Sequence, residues 1–114
     1  MTKKLDFIAE LKYRTTEQGG RKTPVNSGYR PQLKFDFTEM QTSGHQFFIG
    51  TNSVKPGESV LAQIGMDSTH FYENKLEVGM EFEFREGATI IGIGKIIEIL
   101  NKSLEKKKPA HNNV

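Results

Sequence analysis

A chain of 114 residues with 16 basic and 14 acidic side chains has room for one domain and carries a formal net charge of only +2. So small a net charge argues against a nucleic-acid footprint over the whole chain, but it allows a local basic patch. The absence of cysteine excludes disulfides and thiolate metal sites. The N-terminal MTKKLDFIAELKY lacks the apolar run of a signal peptide, and no apolar stretch approaches the about 18 residues of a membrane-spanning helix. The sequence therefore predicts a soluble cytoplasmic protein that makes no membrane contact.

Alternation of apolar and polar side chains predicts strands along most of the chain. Between Lys4 and Tyr13 the odd positions are apolar or aromatic and nearly all even positions are charged, which is the period of a strand with one buried face. The same period returns at residues 33–37, 60–66 and 80–84, and residues 45–49 form a shorter apolar run. The last run, residues 89–100, is the longest. Six short strands separated by glycine and proline turns, with no convincing helix, favour an all-β barrel or sandwich.

The last run and the segment after it differ sharply in composition. Gly92 and Gly94 share one face of the last predicted strand, where glycine lets another group come close or lets the sheet bend. From Asn101 the chain reads NKSLEKKKPAHNNV, which is polar, basic and without alternation. We therefore expect a single domain at residues 1–100 and a solvated, disordered tail at residues 101–114.

No catalytic or metal-binding arrangement is recognisable. The segment GIGK at residues 92–95 lacks the glycine and the hydroxyl of a phosphate-binding loop, because Thr89 and Ile96 stand at those positions. The three histidines are not spaced as metal ligands are. Glu81 and Glu83 alternate with aromatic residues, which is typical of the solvent-exposed face of a strand. The sequence predicts a protein that is not an enzyme and that needs no cofactor, nucleotide or metal.

A basic stretch is the one feature that points to a ligand. Six positive charges lie within residues 12–34, where Glu17 is the only acid. Glycines and prolines in the stretch restrict where its arginines project. Two interpretations remain open at this point: a solvated face, or a surface that binds phosphate through arginine.

Four motifs in fixed order give a family resemblance. They are GGRKTP at residues 19–24, GYRPQ at 28–32, VKPGE at 54–58 and VGMEFEFREGATIIGIGKIIEIL at 78–100. Together they resemble the C-terminal (third) domain of bacterial elongation factor Tu, from about Asp6 to Leu100. The resemblance implies a compact six-stranded antiparallel β-barrel.

The resemblance also implies a binding site. In that family the loop with GGR and the turn with REG lie where the T stem of aminoacyl-tRNA meets the third domain. Carried over by position, the RNA- or partner-binding residues are Gly20, Arg21, Lys22, Tyr29, Arg30, Gln32, Arg85, Glu86 and Gly87. Arg21 would pair with phosphate, and Gln32 would bond a ribose hydroxyl. The chain departs from the family at Lys22, where the family has histidine, and at Asp36, where it has arginine.

Two functions from different classes follow from the resemblance. The 114 residues resemble only the third domain of the factor, so we expect no GTP switch in them. The first hypothesis is a non-catalytic, translation-factor-like binding module that binds tRNA or a tRNA-like RNA weakly, because a lone third domain makes few phosphate contacts. The alternative is a protein-interaction module that mimics elongation factor Tu and binds one of its protein partners, such as a toxin, a regulator or a modifying enzyme.

Overall fold

The structure, a computed structural model, describes residues 4–107 and contains a closed antiparallel barrel of six strands. Its eight strands are β1 (Phe7–Tyr13), β2 (Val25–Asn26), β3 (Gln32–Phe35), β4 (Gln41–Ile49), β5 (Ser53–Val54), β6 (Ser59–Met66), β7 (Glu81–Glu86) and β8 (Thr89–Ile99). The barrel order is β1–β6–β4–β3–β7–β8, and β2 pairs with β5 outside it. Two short 3-10 helices span His70–Tyr72 and Lys102–Leu104. No helix within residues 4–107 is long and apolar enough to cross a membrane.

The prediction of a six-stranded antiparallel β-barrel is confirmed. Each of the six runs with alternating or apolar character contributes one barrel strand, and β1 buries Phe7, Ala9, Leu11 and Tyr13 on its inner face. The pair β2–β5 was not predicted, because two residues are too few to show a period. This pair runs beside the barrel in the loops that follow β1 and β4.

Aromatic rings fill the barrel interior and lie over glycines of the last strand. The rings of Phe7 and Phe82 meet edge to face with centroids 5.6 Å apart. Phe82 pairs with Gly94 across β7 and β8, and a Cβ placed on Gly94 would overlap the Phe82 ring. Phe84 covers Gly92 in the same way. The close contact that these two glycines predicted is therefore present, and it is made by the aromatic ring opposite each glycine.

The predicted tail needs a correction over its first seven residues. Leu104 is fully buried, and the backbone of residue 105 forms a parallel bridge with Leu76. The Asn101 side chain donates to the Asp6 carboxylate at 3.0 Å, and the Asn101 backbone N–H donates to the Asp6 carbonyl at 2.9 Å. Residues 101–107 are thus docked on the barrel. A single buried leucine in a 3-10 turn leaves no periodic pattern that the sequence could reveal. The rest of the predicted tail, residues 108–114, lies outside the described residues.

The glycines under the aromatic rings give a stability prediction. We expect Gly94→Val to destabilise the domain by about 1–3 kcal/mol, since the new side chain must displace the Phe82 ring or bend β8. Urea unfolding should show a lower midpoint at an unchanged denaturant slope. Ile93→Val, which changes an outward-facing side chain one residue away, is the matched control and should shift the midpoint little. A Gly94→Val midpoint equal to that of the wild type would contradict the close packing of ring against backbone.

Candidate binding surface

The loop after β1 turns back on the end of its own strand. The backbone N–H of Gly20 donates to the Thr15 carbonyl at 2.9 Å, and a Cβ at Gly20 would lie 2.6 Å from the Arg14 carbonyl oxygen. Only glycine fits so close to another backbone. The Thr16 hydroxyl donates to the Arg21 carbonyl at 2.7 Å. These contacts fix the point from which the Arg21 side chain leaves the loop.

The Glu86 carboxylate joins three distant segments of the chain. Its Oε2 atom accepts hydrogen bonds from Arg21 Nη1 and from the Tyr29 hydroxyl. The Arg21 guanidinium also stands over the Tyr29 ring, 5.5 Å from the centroid. We call Arg21, Tyr29 and Glu86 the Glu86 cluster. It links the loop after β1, the segment before β3 and the end of β7.

A further residue, Thr23, holds the guanidinium from the other side. Arg21 Nε donates to the Thr23 carbonyl at 3.3 Å, and Arg21 Nη2 donates to the Thr23 hydroxyl at 3.0 Å. Burial alone would lower the pKa of Arg21, but the hydrogen bond and the charge of Glu86 outweigh it and raise that pKa. Arg21 is therefore a fixed cation with an internal counter-ion, which the sequence alone did not show.

Tyr13 connects the Glu86 cluster to the barrel interior. The Tyr13 ring lies 6.4 Å from the Tyr29 ring, and the Tyr13 hydroxyl donates to Gln46 Oε1. Gln46 is fully buried, and its Nε2 atom has no hydrogen-bond partner among residues 4–107. Burial first, and then the neighbouring Tyr29 and Glu86, raise the pKa of Tyr13 above its ordinary value of 10.0, and the charge of Arg21 opposes them. Burial and the Glu86 carboxylate do the same to the pKa of Tyr29.

A second set of predicted residues lies on the outer face of β3 and β7. Gln32 and Arg85 are directly paired across these strands. Gln32 Nε2 donates to the Ser43 hydroxyl at 2.8 Å, and Arg85 Nε donates to Glu83 at 2.9 Å. Both predicted side chains are thus half-buried and engaged within the protein.

The remaining predicted residues are more exposed. Arg30 pairs with Asp67 at 3.2 Å, a partner that no sequence pattern indicates. Lys22 is exposed, and its side chain makes no hydrogen bond or ion pair with another described residue. Gly87 has a φ of +59° and open space where a side chain would stand. The structure thus brings Arg21, Tyr29 and Glu86 into direct contact, with Gly20, Lys22, Arg85 and Gly87 adjacent to them in the chain, and it joins Arg30 to a different acid.

Among the described residues no group of three or more histidine, aspartate or glutamate side chains is placed to hold a metal ion. The arrangement offers hydrogen-bond donors, fixed charges and open glycine backbone. Such groups suit the binding of a ligand.

Comparison with known proteins agrees with this architecture. A family model described as the elongation factor Tu C-terminal domain matches residues 1–100. This match makes the chain a translation-factor-like binding module. The chain belongs to this family, and the resemblance seen in the four sequence motifs is confirmed.

The tyrosines of the cluster give a pH prediction. The pKa values of Tyr13, Tyr29 and Tyr72 are all raised above 10.0, with burial as the first cause, and the chain has 3 tyrosines in total. The folded protein therefore keeps phenol protons that the unfolded chain releases, so the free energy of unfolding should fall as the pH rises above about 10. In an ultraviolet titration, phenolate absorbance should appear together with loss of the circular dichroism of the fold.

Tyr29→Phe tests separately the appearance of phenolate absorbance and its coupling to unfolding. It removes one titrating group, and the phenolate amplitude per molecule should drop while the coupling to unfolding persists. A phenolate transition centred near pH 10 in protein that remains folded would contradict the burial of these hydroxyls.

Proposed function

We propose that this domain is a cytoplasmic, non-catalytic RNA-binding module that contacts the backbone of a T-stem-like duplex. The observation that carries the proposal is the Glu86 cluster. Arg21 and Glu86 are 65 residues apart in the chain and meet directly. They belong to the two segments that face the T stem of tRNA in the elongation factor Tu family. No cofactor or metal takes part in this function.

The free groups of the surface suit a phosphate backbone. Lys22 is exposed and has no internal counter-ion, so it can pair with phosphate without breaking another contact. One N–H on each terminal nitrogen of Arg21 remains after Glu86 and Thr23 are bound. The open backbone at Gly87 permits close approach of a ribose. Gln32 uses Nε2 for Ser43, which leaves its Oε1 to accept from a ribose 2′-hydroxyl.

The ion pairs of the surface predict weak binding. Arg21, Arg30 and Arg85 are each paired with an acid of the same chain, so the surface contributes fewer unneutralised charges than the sequence suggests. Affinity for RNA depends on the number of phosphates that are neutralised. We therefore expect RNA binding that is measurable at low salt and falls steeply as salt is added.

The same ion pairs favour a second candidate function. Arg21, Arg30 and Arg85 are each paired with an acid, and exposed charges of both signs suit a protein partner with complementary charges. In this case the domain would take the place of elongation factor Tu on one of that factor's protein partners. A pull-down from lysate with and without RNase separates the two functions, because RNase leaves a direct protein complex intact.

Fluorescence anisotropy with a tRNA T-arm hairpin tests the RNA function. The logarithm of the affinity should fall linearly with the logarithm of the salt concentration, with a slope of about −0.9 for each duplex phosphate contacted. Lys22→Gln should weaken binding and make this slope shallower by about 0.9, the share of one phosphate. The control Lys102→Gln removes the same charge from the second 3-10 helix and should leave the slope unchanged. Absence of binding at low salt and tens of micromolar protein would refute the RNA function and leave the protein-partner function.

A further inference from the structure

A pocket of about 450 Å³ lies beside the end of β1, outside the residues that the family motifs indicate. It is lined by Lys12, Tyr13, Arg14, Gln18 and Ile93. Lys12 is paired with Ile93 across β1 and β8, so these two side chains stand together on the outside of the barrel. Gln18 belongs to the turn that follows β1. The volume falls within the range of pockets that bind small molecules or parts of larger ligands.

The cations of this pocket lack counter-ions. No ion pair joins Lys12 or Arg14 to another residue in the described part of the chain, and the Arg14 guanidinium makes only a long 3.4 Å contact with the Gln18 carbonyl. None of the lining residues is acidic. The neighbouring acid Glu17 is exposed in the turn, and Glu58 Oε1 already accepts from the Lys55 backbone N–H. Glu10 and Glu81 line an adjoining pocket with Lys12, but neither forms an ion pair with it in the described chain. The pocket itself therefore holds two cations and no acid, whereas the predicted arginines are each paired with an acid of the chain.

The pocket is held in shape by backbone hydrogen bonds. The Arg14 N–H donates to the Ile91 carbonyl at 2.8 Å, and the Arg14 carbonyl accepts from Gly57 N–H at 3.1 Å. Gln18 Oε1 accepts from the Thr15 N–H at 2.9 Å, which leaves the amide N–H groups of Gln18 as free donors. A ligand would not have to order the backbone of these residues, so the entropy lost on binding is confined to side chains.

The pocket adjoins the surface of the Glu86 cluster. A Cβ at Gly20 would lie 2.9 Å from the Arg14 Cβ, so the pocket adjoins the first residue of the Gly20–Lys22 segment. A backbone that passes over Lys22 therefore has a second group of unneutralised cations beside its path.

We propose that this pocket binds a phosphate–ribose unit of the RNA backbone. Lys12, Arg14 and the Gln18 amide donate to the phosphate, and the exposed Ile93 side chain contacts the sugar. This inference rests on the proposed RNA-binding function. It adds that the strongest electrostatic contacts come from the end of β1 and not from Arg21, Arg30 or Arg85.

The test combines an amide NMR titration with salt-dependent anisotropy, both with the T-arm hairpin. The variant Lys12→Gln/Arg14→Gln removes two charges and keeps part of each aliphatic stem, and its thermal melt verifies that it folds. Lys102→Gln is the matched control. Asn101 beside it bonds Asp6, which precedes β1, so it lies about 20 Å from Lys12 at about 3.3 Å per strand residue.

The expected result has two parts. RNA should shift the amide signals of Lys12, Arg14, Gln18 and Ile93 in the wild type. The double variant should weaken the affinity on the order of tenfold or more at 0.1 M salt, and its salt slope should be shallower by about 1 for each phosphate that it no longer neutralises. Lys102→Gln should change neither quantity.

Three outcomes would overturn the inference, and they differ in what they leave standing. Binding that shifts only Gly20–Lys22 and Gly87, with the double variant equal to Lys102→Gln, refutes the pocket and retains the RNA function. Inorganic phosphate that shifts the pocket signals when RNA does not shows a small-anion site and refutes the RNA assignment of the pocket. Absence of any RNA binding by the wild type refutes both.

Discussion

The candidate surface depends on one carboxylate. Glu86 accepts hydrogen bonds from Arg21 and Tyr29, and these three residues come from the loop after β1, the segment before β3 and the end of β7. In the described chain Glu86 is the acid that pairs with Arg21, and this ion pair joins the GGR loop to the REG motif. The same ion pair explains why the surface carries less free positive charge than the sequence suggests. The Arg21 guanidinium, which a phosphate would otherwise attract, is already paired with Glu86.

The barrel supplies the rigid frame that makes this interaction possible. β7 and β8 form a hairpin in which the rings of Phe82 and Phe84 cover Gly94 and Gly92, and Glu86 ends β7 opposite Thr89. β8 also pairs with β1, where Tyr13 stands opposite Gly92 and packs against the Phe84 ring. The end of β1, the basic pocket and the end of β7 are therefore parts of one packed unit. The contact between Arg21 and Glu86 holds the loop after β1 against the end of β7, so the backbone of neither segment needs to be ordered by binding.

The sequence predicted the strands and the motif positions, but it could not predict the charges that remain free. Strand alternation is local, so β1, β6 and β7 were identified from period two alone, and Gly92 and Gly94 marked the close approach in β8. Arg30 pairs with Asp67, 37 residues away, and Arg21 pairs with Glu86, 65 residues away. Composition and local pattern do not show which distant residues meet, so these ion pairs could not be predicted from the sequence. The docking of Leu104 and the short β2–β5 pair were missed because neither leaves a period. The free cations Lys12 and Arg14 were counted within the basic stretch, but only the structure shows that they share a pocket.

A double-mutant cycle of urea unfolding on Arg21→Gln and Glu86→Gln tests most directly whether Glu86 organises the surface. Each single variant removes one charge of the pair, and the double variant removes both. Because the two side chains are partly exposed, their interaction should be modest. We expect the double variant to lose about 0.5–1 kcal/mol less unfolding free energy than the two single losses combined. The control cycle of Arg21→Gln with Asp67→Asn, which removes the partner of Arg30, should be additive. Additive losses in the Arg21 and Glu86 cycle would contradict the account.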